Sequence, residues 1–175
     1  MKVFGLAGWS GAGKTTLLIR LITHWSARGL RVSTVKHAHH EFDIDHPGKD
    51  SHRHRSAGAT EVLVGSARRW ALIHELRSEP EPPLYDLLSL MAPVDLVVIE
   101  GFKRDLHPKM EVHQAGNGKP WLHPNDPTMR AVAADIQPPG DIRWFDLNAV
   151  EAIAAFIEGA AVDLGALQSA LAARQ

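Results

Sequence analysis

The sequence predicts an α/β fold in which a mostly parallel central sheet carries helices on both faces. Three observations predict it. First, Lys2–Ala7 is a short apolar run, and Lys14–Arg28 places Leu17, Leu18, Leu21, Ile22 and Trp25 on one helical face. Second, the turn between them reads Gly8-Trp9-Ser10-Gly11-Ala12-Gly13-Lys14-Thr15. This is G-x-x-x-x-G-K-T, the P-loop pattern, and a second threonine, Thr16, follows it. Third, Val94–Glu100 (VDLVVIE) is nearly all apolar, as suits a central strand covered on both faces. Strand, glycine-rich turn and helix start together specify a three-layer sandwich of the P-loop NTPase type.

The loop has a definite chemistry. Its backbone N–H groups point inward and wrap a phosphate chain. The helix N-terminus adds partial positive charge. Gly8, Ser10, Gly11, Ala12, Gly13, Lys14, Thr15 and Thr16 are therefore the candidate phosphate-binding residues. Lys14 reaches the β- and γ-phosphates, and the Thr15 hydroxyl holds Mg²⁺.

Bulk properties fit one nucleotide-binding domain. A length of 175 residues matches the prior of roughly 150 residues per domain. Apolar content of 45% and charged content of 22% are ordinary for a globular chain. The net charge of −1 implies no general attraction to nucleic acid or anionic lipid. The absence of cysteine excludes disulfides and thiolate metal sites. No apolar run approaches the roughly 20 residues of a membrane span. The P-loop strand begins at Lys2, so no signal peptide is expected, and the expected location is cytoplasmic.

After the first helix, Gly29 stands where a C-terminal glycine cap belongs, and Arg31–Lys36 reads as a strand that closes a βαβ unit. His37–Asp50 is a polar loop with a Pro47-Gly48 turn signal. Ser51–Ala59 reads as a short helix, and Glu61–Gly65 and Arg69–His74 as two strands joined by a tight turn. Tyr85–Met91 is a helix, Lys109–His113 a strand, and Ala115–Pro127 a loop rich in Gly, Asn and Pro. Met129–Ala134 and Arg143–Phe145 are short strands. Asn148 is placed to cap a helix running through Glu158, and Asp163–Arg174 reads as a last helix. The expected division is a single domain over 1–158 and a C-terminal helical extension over 159–175.

Other groups gather chemistry around the loop. Glu100 ends its apolar strand before Gly101, as a Mg²⁺-binding carboxylate opposite Thr15 does. Asp95 starts the same strand, roughly 16 Å away at about 3.3 Å per residue, so both cannot reach one metal. Asp43, Asp45 and Asp50 follow the second strand, whose end faces the ligand crevice in such sheets. Asp45 is a candidate to orient an attacking water and Asp50 a candidate to complete the Mg²⁺ shell; a solvated acidic loop is the plainer alternative. His37, His39, His40, His46, His52 and His54 invite a Zn²⁺ or Ni²⁺ reading, but their spacing matches no fixed zinc pattern. Lys49, Arg53 and Arg55 can bind an anion such as a phosphorylated pterin, or form a solvated cationic face. No Asn-Lys-x-Asp guanine signature is present. Asp135, at the end of a strand, can accept from a guanine N1–H and N2–H₂, or cap a turn.

Taken together, Gly8–Thr16 (GWSGAGKTT), Val35–Asp45 (VKHAHHEFDID), Gly48–Ala59 (GKDSHRHRSAGA) and Asp95–Lys103 (DLVVIEGFK) resemble the MobB family of molybdopterin-guanine dinucleotide biosynthesis adapters. The resemblance covers residues 1 to about 158. It implies a P-loop fold of the class that includes urease and hydrogenase accessory GTPases. It further implies GTP and Mg²⁺ binding, weak GTP hydrolysis and a homodimer. The implied partner is a MobA-type guanylyltransferase that joins GMP to molybdopterin, with molybdopterin itself as a second ligand. On this view His37, His39, His40, Arg53 and Arg55 face the second ligand or the partner. A small-molecule kinase on the same loop, or a nickel- or zinc-handling accessory GTPase, are the alternatives. The chain has no long Arg-rich lid, which favours the adapter.

Overall fold

In a computed structural model that describes residues 1–38 and 42–172, the apolar run Lys2–Ala7 is strand β1 and Lys14–Ala27 is helix α1. The chain continues through β2 (Val32–Lys36), α2 (Asp50–Ser56), β3 (Glu61–Gly65), β4 (Trp70–His74), α3 (Leu84–Ser89) and β5 (Leu96–Glu100). It ends with β6 (Lys109–His113), β7 (Met129–Ala134), β8 (Trp144–Asp146), α4 (Val150–Ala160), β9 (Val162–Asp163) and α5 (Leu164–Ala172). Two compact units result, Met1–His37 with Leu84–Gln175, and Ala38–Pro83.

The first unit is built on a seven-stranded sheet of order β2-β5-β1-β6-β7-β8, with β9 pairing to β1. All pairings along that path are parallel. β5 lies between β1 and β2, so Glu100 is level with Leu6 on one side and Lys36 on the other. β6 pairs with β1 over Gly5–Ala7 alone. The edge of β1 below that point is closed by β9, which pairs antiparallel with Lys2 and Val3.

Strand alternation sends side chains into two cores. On one face Phe4, Leu6, Leu96 and Val98 pack with Leu17, Leu18, Leu21 and Trp25 of α1 and Ile153, Ala154 and Ile157 of α4. On the other, Val3, Val97 and Ile99 meet Leu84 and Leu88 of α3 and Leu167 of α5. Parallel strands covered on both faces explain why β5 reads as a continuous apolar run. The buried indole of Trp25 donates its N–H to Glu158 Oε1 at 3.0 Å, and Arg28 donates to the same oxygen at 2.6 Å, tying α1 to α4.

One expected cap is replaced. Helix α4 begins at Val150 with Ala149 at its N-cap and no side-chain cap. Asp146 Oδ1 accepts from the Asn148 N–H at 2.7 Å, and Asn148 Oδ1 accepts from Arg20 at 3.2 Å. Asn148 therefore ties α1 to the start of α4 from outside the helix.

The second unit is smaller. β3 and β4 form an antiparallel hairpin with Leu63 opposite Leu72 and Gly65 opposite Trp70. Arg55 of α2 is its polar centre, donating to Asp43 at 2.9 Å and to Glu75 at 2.7 Å, with its Nε 3.4 Å from Asp45. Across the hairpin, one face carries Leu63, Leu72 and Trp70, all exposed.

The packing of α1 and α4 in one core is testable. Ile153→Ala, at a fully buried position, should lower unfolding free energy by about 2–5 kcal/mol. Ile19→Ala, at a position 60% exposed on α1, should change it by less than about 0.5 kcal/mol. Urea unfolding of both variants checks the contrast.

Candidate functional site

β1 runs out at Ala7, and the chain turns through residues 8–13 into α1. The turn ends at Gly13, whose φ of +86° is a left-handed conformation that favours glycine. No side chain caps α1, and its first turn carries no acidic residue. The orphan N–H groups of this helix start are thus offered to an anion without a competing carboxylate. Lys14 Nζ donates to the carbonyls of Gly8 at 3.0 Å and Trp9 at 2.9 Å, which folds the lysine back over the loop. Burial lowers the Lys14 pKa; Glu100 opposes that shift, while Lys103 and Lys36 add to it. Ser10 contributes its carbonyl to Asn117 Nδ2 at 2.8 Å, and the Ala12 N–H donates to the Trp9 carbonyl at 3.2 Å.

Glu100 lies at the same edge. The residue is 7% exposed, and the Thr15 hydroxyl stands 3.2 Å from Oε1 and 3.3 Å from Oε2. Lys36 Nζ is 3.8 Å from Oε1, so a cation already balances this carboxylate. One hydroxyl and one carboxylate, both oxygen donors beside a phosphate loop, fit a hard divalent cation such as Mg²⁺. Asp95, at the opposite end of the strand, accepts instead from the Arg31 N–H at 2.8 Å and the Arg31 guanidinium at 3.2 Å. The structure therefore brings Lys14, Thr15 and Glu100 together and keeps Asp95 out.

Beside them is a cleft of about 280 Å³ lined by residues including Gly13, Thr16, Gln114, Asp135, Asp146 and Asn148. Asp135 Oδ1 accepts from the Ala115 N–H at 2.9 Å. That bond anchors the loop after β6 and leaves Oδ2 without a hydrogen-bond partner among the described residues.

The remaining sequence candidates have other surroundings. His37 stacks on Phe102 with ring centroids 4.6 Å apart, and its N–H donates to the Glu100 carbonyl at 2.9 Å. His39 and His40 lie outside the described residues. Asp45 and Asp50 belong to the second unit. Asp45 Oδ1 accepts from the Ser51 hydroxyl at 2.8 Å and the His46 N–H at 2.9 Å, so this carboxylate builds its own loop. Asp50 opens α2, exposed, with Arg53 at 3.8 Å. The Arg53 side chain is 75% exposed, whereas that of Arg55 is 15% exposed and occupied by carboxylates. The Arg55 guanidinium donates through its two terminal nitrogens to Asp43 and Glu75. Among the described residues no group of three or more His, Cys, Asp or Glu side chains gathers to hold a metal.

Several contributors escape sequence reasoning. Glu111, fully buried, accepts from the N–H groups of Leu122 at 2.8 Å and His123 at 2.9 Å and from the His123 ring at 2.9 Å. His123 and His113 both contact the Trp121 ring, His113 stacking on it at 3.6 Å. The loop so anchored accepts the Trp9 indole N–H at the Pro120 carbonyl, 2.8 Å away. The signal was present in β6, where Lys109, Glu111 and His113 alternate with apolar residues. That pattern suggests a solvent face, yet all three are buried.

Comparison with known proteins agrees with this geometry. The chain is 42% identical over 160 residues to the molybdopterin-guanine dinucleotide biosynthesis adapter protein of Escherichia coli (strain K12), covering 90% of this chain and 91% of that one. It is 40% identical over 161 residues to the protein of the same name from Haemophilus influenzae, covering 90% and 88%. Among solved structures, a MobB protein homolog from Bacillus stearothermophilus superposes with a TM-score of 0.67 at 26% identity, over 90% of this chain and 95% of that chain. Among the described residues, no helix is long and apolar enough to cross a membrane. The family model for molybdopterin guanine dinucleotide synthesis protein B matches residues 3–135, and with a P-loop and carboxylate edge in that span, the chain belongs to the MobB family.

Proposed function

We propose that this chain is a cytoplasmic GTP-binding adapter that assists attachment of GMP to molybdopterin by a separate MobA-type guanylyltransferase. The observation that carries the nucleotide part is the meeting of Lys14, Thr15 and Glu100 at one sheet edge. Family membership and the adapter relatives support the pathway. In this reading the N–H groups of Gly11–Thr16 cradle the inner phosphates, and Lys14 moves from the Gly8 and Trp9 carbonyls to the outer ones. Thr15 and Glu100 would hold Mg²⁺, which would supply positive charge to the outer phosphates. The free Oδ2 of Asp135, in the cleft beside Thr16, accepts from the guanine base. Hydrolysis is slow at best, as an adapter role requires.

The second unit supplies the partner side of the proposal. A two-stranded hairpin is marginally stable alone, and this one exposes Leu63, Leu72 and Trp70 on one face, at 65%, 43% and 69%. A second copy of the chain covers that face, giving a homodimer. Arg53 of the second unit is assigned to a second anionic ligand such as the molybdopterin phosphate, or to the guanylyltransferase.

Four outcomes test this. Lys14→Ala should lower GTP affinity by about tenfold or more with the fold intact, as loss of a charge-assisted contact implies. Glu100→Gln should weaken Mg²⁺-dependent GTP binding more than Asp95→Asn does; equal losses in calorimetric titration would place the metal elsewhere. GTP should outcompete ATP, and Asp135→Ala should narrow that preference; equal competition by ATP would remove the base assignment. Finally, Leu63→Arg with Leu72→Arg should convert a dimer to a monomer in light scattering, and an unchanged mass would move the interface off the hairpin.

A further inference from the structure

The strand that ends in Glu100 is followed by a turn whose shape is over-determined. Gly101 has φ +100° and Phe102 has φ +43°, an unusual left-handed value for a side chain of that size. Phe102 is buried and stacked on His37. The next residue, Lys103, is fixed at both ends. Its carbonyl accepts from Lys109 Nζ at 3.2 Å. Lys109 is fully buried, and its ammonium also donates to the Asp105 carbonyl and to Thr128 Oγ1 at 2.8 Å, with Asp126 at 3.7 Å. A buried charge of this kind is costly unless every donor is matched. Here the matched donors hold the turn that carries Lys103.

At its other end the Lys103 ammonium rests 4.7 Å from the centroid of the Trp9 ring. Trp9 is itself a P-loop residue, and its indole is pinned to the Pro120 carbonyl. Its carbonyl accepts from Lys14. No described carboxylate forms an ion pair with Lys103. A cation–π perch is a weak hold, so a phosphate oxygen competes for the ammonium readily.

We propose that Lys103 is a second phosphate-binding cation, held on Trp9 beside the P-loop, that engages the terminal phosphate of a nucleoside triphosphate. The inference rests on the nucleotide reading above. The inner phosphates are enclosed by the loop's own N–H groups, so the group left for a cation on the Glu100 side is the outermost one. Lys103 thereby makes the site distinguish triphosphate from diphosphate.

The test is the ratio of GTP to GDP affinity, with Mg²⁺, in the full chain and in Lys103→Met, Lys103→Arg and Lys14→Ala. Lys103→Met should lower GTP affinity about tenfold or more while GDP affinity changes less than about threefold, the signature of one lost charge-assisted contact. Lys103→Arg should retain most of the discrimination, and Lys14→Ala should weaken both nucleotides. A GTP-to-GDP ratio in Lys103→Met within about twofold of the parent overturns the proposal, as does an equal loss for both nucleotides. If Lys14→Ala still weakens both while Lys103→Met does nothing, Lys103 alone is misassigned. If the unaltered chain binds neither nucleotide, the P-loop reading falls and takes this proposal with it.

Discussion

The site depends on the register between β1 and β5. Leu6 is level with Glu100, so the strand that feeds the P-loop and the strand that supplies the carboxylate finish together. Parallel strands joined by crossovers bring all carboxyl ends to one edge, which is where ligands bind in open α/β sheets. A slip of one residue would turn Glu100 to the opposite face and leave Thr15 without its partner. The apolar residues that precede Glu100 set this register. Leu96 and Val98 are committed to the α1–α4 side, and Val97 and Ile99 to the α3–α5 side. Neither set can change face without exposing apolar surface. Packing and chemistry are thus specified by the same five residues of β5.

A second constraint works from β6, on the far side of β1. Its polar residues Lys109 and Glu111 are both fully buried, and each is matched by donors or acceptors from a loop. Lys109 holds the turn that follows Glu100. Glu111 holds the loop that supports Trp9. The two walls flanking the phosphate loop are therefore anchored to alternate positions of one strand. His107, just before it, is buried against Gly5 and kept neutral, burial lowering its pKa to about 3. A side chain at Gly5 would meet the His107 ring at 2.3 Å, so that glycine is required by packing.

Much of this was legible in the sequence because the relevant signals are local. G-x-x-x-x-G-K-T encodes its own turn, and the helical period from Leu17 to Trp25 encodes the face that covers it. The continuous apolar run before Glu100 announces a central strand and, by its direction, which carboxylate stands beside Thr15. Non-local features were not legible. Lys109, Glu111 and His113 alternate like a solvated edge, and only long-range hydrogen bonds reveal that they are interior. Arg55 sits among cations in sequence, but its carboxylate partners come from positions 43 and 75. Asn148 has the chemistry of a helix cap, yet Arg20, distant in sequence, takes its side chain. Pattern rules see spacing along the chain and cannot see which groups the fold brings opposite one another.

The central claim is that Thr15 and Glu100 form one metal site beneath a P-loop-bound triphosphate. A crystal of the chain with Mn²⁺ and a non-hydrolysable GTP analogue tests it most directly, because anomalous scattering locates the metal without ambiguity. The account expects one Mn²⁺ peak ligated by the Thr15 hydroxyl and held by Glu100, directly or through water, with the phosphates lying under the N–H groups of Gly11–Thr16. A metal peak that contacts neither Thr15 nor Glu100, or a nucleotide seated away from the loop, would contradict it.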